Sequence, residues 1–308
     1  MTGLVHAPDN PVPELAEALV FDGPRKRTVR MMYAPAPSRH GQPRGTVFVC
    51  PGRTEFIEKY FEVARDLQAR GFAVAIFDWP GQGLSDRFLP DRLAGHVDRF
   101  ETFVDTFRMG VDQLGARAPE PHVILAHSMG GGIALEALRT GAVLADAAAF
   151  SAPMWGIKLP PLGGFIARVL RGFGQGAKPV NTPGPETFEN NSVTHDRGRW
   201  EVQQSLLRRN PALALSAPTW GWIVASLDVT ARFKAPGALD GVQCPVLTAS
   251  AGEEKLVDNA SHEIVCAALP KSTHITVEGA YHEILMETDE KRDQFWTAFD
   301  ALLDKAGI

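Results

Sequence analysis

HVILAHSMGGGIALEAL, residues 122–138, runs four apolar residues, Val123–Ala126, straight into a serine and then crowds three glycines behind it. An ordinary buried strand does not end this way, and an ordinary helix does not begin this way. The pattern suits a strand that turns sharply into a helix with Ser128 at the bend. Small residues two before and two after the serine, Ala126 and Gly130, let strand and helix pass closely. Such a bend pushes the hydroxyl outward and sets the new helix beneath it, where its N-terminus favours negative charge. The reading is therefore a nucleophile.

A serine hydroxyl is a weak nucleophile near neutral pH and needs a base within hydrogen-bonding reach and an acid to orient that base. In a strand–turn–helix setting the chain order is serine, acid, histidine. Four histidines follow Ser128: His195, His262, His274 and His282. Only His282, in VEGAYHEIL, sits just past an apolar strand, where a loop can lower it onto the serine. The acid is expected in AGEEKLVDN after the strand PVLTAS, where Glu253, Glu254 and Asp258 are all available. An oxyanion needs two backbone donors. Met129, directly after the nucleophile, offers one. The loop PGRTEF after TVFVC offers the other at Arg53, because Pro51 has no N–H.

The order of elements fits this chemistry. TVFVC (46–50), FAVAIF (72–77), VILA (123–126), residues 147–150, PVLTAS (245–250) and HITV (274–277) read as short strands, the first two buried. Helical patterns lie between them, over 56–70, 97–114, 133–138 and 290–303. Apolar strands alternating with helices predict an α/β fold with a doubly wound, mostly parallel sheet, whose chemistry sits at the carboxyl ends of the strands. Residues 155–240 break the rhythm with dense Pro and Gly and with Trp155, Trp200, Trp220 and Trp222. They are expected to form a helical cap inserted between two parts of the core, 1–154 and 241–308. The Pro-rich opening to about residue 13 is expected to be a loose arm.

Composition narrows the function classes. A net charge of −5 argues against nucleic acid as a partner. No apolar window is long enough for a membrane span, and the first residues show no secretory pattern. Three cysteines without C-x-x-C spacing fit reduced thiols in a cytoplasmic setting and give no metal motif.

Six segments together carry a resemblance: PGRTEFIEKY (51–60), DWPGQGLSDR (78–87), GHVDRF (95–100), AHSMGGGIAL (126–135), EEKLVDN (253–259) and GAYHEIL (279–285). In this order the chain resembles the bacterial lysophospholipase and monoacylglycerol lipase branch of the α/β-hydrolases, a serine aminopeptidase-like family. The resemblance implies an α/β-hydrolase fold with a cap and a serine esterase that needs no cofactor or metal. It maps the nucleophile onto Ser128 and the base onto His282. The family acid is most often an aspartate before a basic residue. That position is Glu254, before Lys255, with Asp258 as the alternative. The implied substrate is a lysophospholipid, with monoacylglycerol or a short ester as alternatives. Epoxide hydrolase and dehalogenase chemistry is disfavoured, since those relatives place aspartate where Ser128 stands.

Two features of 151–240 bear on the substrate. Leu162, Phe165, Ile166, Val169, Leu170 and Phe173 fall at helical spacing and form one apolar stripe. Phe165, Ile166 and Val169 are the candidates for receiving an acyl chain, and the same stripe is a candidate for peripheral contact with the inner face of a membrane. Residues 151–235 also hold ten Lys/Arg against five Asp/Glu, whereas the remainder holds 21 against 31. A basic insertion on an acidic body suits a phosphate head group or an anionic bilayer.

Overall fold

The computed structural model describes residues 3–37, 41–180, 184 and 187–308. The first two residues of the expected arm, and residues 181–183 and 185–186 of the expected insertion, lie outside the described set. Eight strands form one sheet: β1 (Glu17–Asp22), β2 (Thr28–Ala34), β3 (Thr46–Cys50), β4 (Ala73–Phe77), β5 (His122–His127), β6 (Ala147–Ser151), β7 (Val246–Ala251) and β8 (Ser272–Val277). Their spatial order is β1-β2-β4-β3-β5-β6-β7-β8. β1 and β2 run antiparallel to their neighbours, and every later pairing is parallel.

The central strands are apolar throughout because both of their faces are covered. Along β3, Val47 and Val49 join one core layer while Phe48 and Cys50 join the other. The first layer is closed by α1 (Phe61–Ala69) and α8 (Asp289–Ala306), through Phe61, Leu67, Phe295 and Phe299. The second is closed by α2 (Glu101–Leu114), α3 (Met129–Thr140) and α7 (Asn259–Ala268), through Phe103, Phe107, Ile133 and Val265. Strands buried on two faces read as continuous runs rather than alternations.

Between β6 and β7 the chain carries α4 (Gly163–Leu170), α5 (Arg197–Arg209) and α6 (Trp220–Phe233) and no named strand among its described residues. Three helix starts differ from expectation by four residues or more. The helix expected over 56–70 begins as a 3₁₀ turn, Ile57–Tyr60, before α1; the helix expected from Val97 begins at Glu101; and α3 begins at Met129, not at Ile133. The glycines do not delay α3, because its first turn packs against the end of β3. A Cβ on Gly130 would lie 2.0 Å from the Cys50 carbonyl oxygen.

The expected loose arm is not loose. The Val5 N–H donates to Glu58 Oε1 at 2.9 Å, Asn10 Nδ2 donates to the Glu58 carbonyl at 2.7 Å, and the Glu14 N–H donates to Gln68 Oε1 at 3.0 Å. Ala7 and Asn10 are buried. The prolines stiffen this segment, and buried polar partners on the 3₁₀ turn and α1 tie it down.

Candidate active site

Adjacent β3 and β5 lie where the strand order reverses, β4 to one side and β6 to the other. At such a point the loops leaving neighbouring strands diverge and open a crevice at their carboxyl ends. The loops after β3, β5, β7 and β8 meet there.

Ser128 lies between β5 and α3 with φ +49° and ψ −119°. A non-glycine residue adopts this conformation only when its surroundings impose it. The Ser128 N–H donates to the Ser151 carbonyl at 3.2 Å, and the Ser128 carbonyl accepts from the Gly131 and Met154 N–H groups at 2.9 and 2.8 Å. The side chain faces a cavity of about 280 Å³. Ser128 Oγ stands 2.9 Å from His282 Nε2, and His282 Nδ1 stands 2.7 Å from Glu254 Oε2. The other oxygen of Glu254 accepts from the Leu256 and Val257 N–H groups at 2.7 and 3.2 Å. Burial pushes the Glu254 carboxyl up, but His282 and the two amides outweigh it and hold it down to about 2. It is therefore ionised at neutral pH and positioned to keep the Nδ1 proton, leaving Nε2 free to accept.

Of the two acids left open for this role, the structure brings Glu254 to His282. Asp258 instead caps α7, accepting from the Ala260 N–H at 3.2 Å and from Ser261 Oγ at 2.7 Å. Arg53 and Met129 both line the Ser128 cavity. Met129 opens α3, so its N–H has no intrahelical partner. The Gly52 N–H is occupied by the Glu55 carboxylate. Gly52 is required by proximity, since a Cβ there would lie 3.0 Å from that of Ser128 and 3.1 Å from the His127 ring.

Phe165, Ile166 and Val169 do not line this cavity. They are exposed on α4, and Leu162 just before it and Phe173 just after it are exposed at 74% and 80%. α4 packs on α6 through its small residues. Ala167 is buried, and a Cβ on Gly164 would meet Leu227 at 3.2 Å. The larger side chains are thereby turned outward. The apolar wall of the cavity comes instead from Met154, Ile157, Leu159, Trp222, Ile223 and Leu256.

The chain matches the family described as "Serine aminopeptidase, S33" over residues 41–289. It belongs to this family. Among similar proteins, Lysophospholipase L2 of Escherichia coli strain K12 is 34% identical over 275 residues, covering 84% of this chain and 79% of the relative. Probable lysophospholipase L2 of Haemophilus influenzae is 30% identical over 273 residues, covering 87% and 86%. Among solved structures, a soluble variant of monoglyceride lipase from Saccharomyces cerevisiae, in complex with a substrate analog, superposes with a TM-score of 0.77 at 21% identity, covering 96% of each chain. The chain is thus a lysophospholipase-like serine hydrolase with the α/β-hydrolase fold.

Beneath the Ser128–His282 pair of this S33 member lies a buried charged cluster. Lys59 Nζ stands 2.8 Å from Glu55 Oε1 and 2.6 Å from Glu283 Oε1, and Tyr60 Oη donates to Glu55 Oε2 at 2.6 Å. Glu55 Oε2 in turn accepts from the Gly52 N–H, while Gln82 Nε2 donates to the Gly52 carbonyl at 2.8 Å and Trp79 Nε1 to the Pro51 carbonyl at 2.9 Å. The loop after β3, the candidate oxyanion loop, is thus held by side chains at N–H and C=O groups. Burial opposes ionisation of Glu55, but Lys59 and His127 outweigh it and hold its carboxyl to about 2. His127, packed 4.8 Å from the His282 ring centre, is pushed down to about 4 by burial and stays neutral near pH 7. Donor atoms of Glu55, His127 and Glu283 lie within 4.8 Å of one another, but the Lys59 ammonium already supplies the cation between the two carboxylates.

Sequence reasoning quoted these segments without assigning Glu55, Lys59, Gln82 or Glu283 a role. A signal was present. Glu55 and Lys59 are an i,i+4 acid–base pair within EFIEKYF (55–61), among Phe56, Ile57, Tyr60 and Phe61.

Proposed function

We propose that this chain, a carboxylic-ester hydrolase, is a lysophospholipase that releases the single fatty acid of a lysophospholipid through an acyl-enzyme. The observation that carries the reading is the continuous chain of hydrogen bonds from Glu254 through His282 to Ser128 Oγ at the wall of an apolar cavity. Ser128 Oγ attacks the ester carbonyl carbon and its proton passes to His282 Nε2. The Arg53 and Met129 N–H groups stabilise the oxyanion. The tetrahedral centre collapses, and the head-group alcohol leaves with the proton from His282. Water then gives a proton to His282 and attacks the acyl-enzyme, freeing the fatty acid and restoring Ser128. Glu254 stays ionised throughout and stabilises the imidazolium.

The experiment compares fatty-acid release from lysophosphatidylcholine and from monoacylglycerol of the same acyl chain. The expected result is higher kcat/KM on the lysophospholipid. Cleavage of the monoacylglycerol alone would reassign the enzyme as a neutral lipase. Cleavage of only a short-chain ester would overturn the lipid reading.

The insertion between β6 and β7 serves in this reading as a cap that meets a lipid surface. No described helix is long and apolar enough to cross a membrane, so contact would be peripheral. Leu159 lines the cavity, and its Cβ lies 3.3 Å from where a Cβ on Gly163 of α4 would stand. The exposed stripe Leu162, Phe165, Ile166, Val169 and Phe173 therefore continues from the cavity wall. Arg168 and Arg171 sit beside it, where an anionic bilayer would attract them. Replacing Phe165 and Phe173 together by serine is expected to lower co-sedimentation with phosphatidylglycerol vesicles about tenfold or more, since each buried phenyl contributes roughly 1.5–3 kcal/mol. Unaltered sedimentation would remove α4 from the contact.

A further inference from the structure

Arg53 carries a charge that its surroundings do not balance. Its Nη1 donates to the Ser216 carbonyl at 2.5 Å, and its guanidinium lies 5.6 Å from the Trp222 ring centre. The carbonyl and the ring are both neutral. Among the described residues no carboxylate comes within ion-pair distance, and burial alone pushes the group down to about 10. Arg53 is half-buried at the wall of two cavities, whereas the more deeply buried cations are paired: Arg30 with Glu58 and Asp78, Lys59 with Glu55 and Glu283, Arg292 with Glu62 and Asp66. A cation partly withdrawn from water without an anionic partner is costly, and an arriving anion relieves that cost.

Two cavities meet at this residue. One is the apolar cavity beside Ser128. The other, of about 590 Å³, is walled by Gln203, Gln204, Asn190 and Ser192 from the insertion, with Leu207 and Leu215 beside them. Arg53, Thr54, Val193 and Leu256 line both. The first wall suits an acyl chain and the second a polar group.

We propose that Arg53 is the counter-charge for the phosphate of the substrate head group, which occupies the second cavity while the acyl chain occupies the first. This rests on the ester-hydrolase reading above. The phosphate of a lysophospholipid hangs from the same glycerol whose hydroxyl is esterified, so it must lie within one glycerol of the scissile carbonyl. Arg53 meets that requirement because its backbone belongs to the oxyanion loop and its side chain leaves toward the second cavity. A planar guanidinium offers a fork of donors to phosphate oxygens. A neutral glycerol ester leaves the charge unbalanced and is discriminated against. The phosphate is common to choline, ethanolamine and glycerol head groups, so all three are accepted.

The test uses the full chain and the ratio of kcat/KM on lysophosphatidylglycerol to that on monoacylglycerol of the same acyl chain. Arg53→Met is expected to lower this ratio about 10- to 100-fold, mostly through KM, with Arg53→Lys recovering part of it. An unchanged ratio, or equal losses on both lipids, would overturn the proposal, because the side chain would then only support the loop. A second arm needs neither a folded variant nor lipid turnover. Glycerol 3-phosphate is expected to inhibit wild-type hydrolysis of a short p-nitrophenyl ester competitively, well below the concentration at which glycerol does, with inorganic phosphate weaker. Equal inhibition by glycerol and glycerol 3-phosphate would overturn it, and so would inorganic phosphate as strong as glycerol 3-phosphate, which marks a free-anion site. If no lipid is cleaved, the lysophospholipase reading fails, while this arm still decides the role of Arg53.

Discussion

Ser128→Ala is expected to lower kcat on every carboxylic ester by about 10⁴-fold or more, and His282→Ala to lower it by a similar factor. The two losses do not add, because the imidazole acts only through the hydroxyl 2.9 Å away. The neighbouring hydroxyls do not substitute. Thr54 Oγ1 donates to the Arg53 carbonyl at 2.5 Å, and Ser151 Oγ is fully buried. The residue left behind is still alanine, so the Cβ that packs beside Gly52 is kept and the bend at position 128 is not relieved. The fold is therefore retained, and the loss is chemical. Residual rate comes from the oxyanion amides and the cavity alone. The check is steady-state kinetics together with intact mass after a fluorophosphonate: the wild type gains one adduct and Ser128→Ala gains none. Undiminished turnover, or an adduct on Ser128→Ala, would end the assignment of the nucleophile.

The three side chains that the structure brings together at the candidate site were legible because each follows a strand, where local pattern and chemistry point the same way. VILA before Ser128 and PVLTAS before Glu254 are buried strands, HITV before His282 belongs to the largely exposed edge strand β8, and the loop after a parallel strand is where side chains converge. Choosing Glu254 over Asp258 took the family pattern, because composition alone does not separate two carboxylates four residues apart. Their difference is geometric: Glu254 stands at the end of β7, while Asp258 is consumed as a helix cap. What escaped the sequence depends on pairs distant along the chain. β1 and β2 carry polar residues, β1 pairing with β2 and β2 with β4, so neither reads as a central strand. Charges such as Glu55, Lys59 and Glu283 look like solvated surface until tertiary folding sets them against one another. The α4 stripe was legible as one apolar face but not in where it points. It was a candidate for receiving the acyl chain, yet Gly164 and Ala167 on the other face make the close packing and leave Phe165, Ile166 and Val169 outside the cavity. In each case tertiary context overrode a local pattern.

Arg30 shows how much of the stability rests on such distant pairs. It lies on β2, fully buried, with Nη1 and Nη2 2.7 and 2.8 Å from the two Glu58 oxygens and Nε 2.7 Å from Asp78 Oδ2. Asp78 also accepts from the Ile57 and Leu84 N–H groups, and Glu58 from the Val5 N–H. One guanidinium thus joins the first residues, β2, the 3₁₀ turn after the oxyanion loop and the turn after β4. Arg30→Met keeps the side-chain length but leaves two carboxylates buried together without a cation. The expected loss is about 3–5 kcal/mol, or a fall in Tm of roughly 5–15 °C for a chain of this size. Removing one apolar group from the core leaves only a void, whereas here an uncompensated charge remains. The Arg30→Met, Glu58→Gln, Asp78→Asn triple variant should therefore recover most of the loss, since neutral amides have no such repulsion. Both variants are read by thermal and denaturant unfolding. A loss below about 1 kcal/mol in Arg30→Met would mean that water reaches the carboxylates and that the cluster is not sealed. The same variant should also lose kcat, because Asp78 holds the Ile57 N–H only two residues from Glu55, the carboxylate that fixes Gly52 beside Ser128.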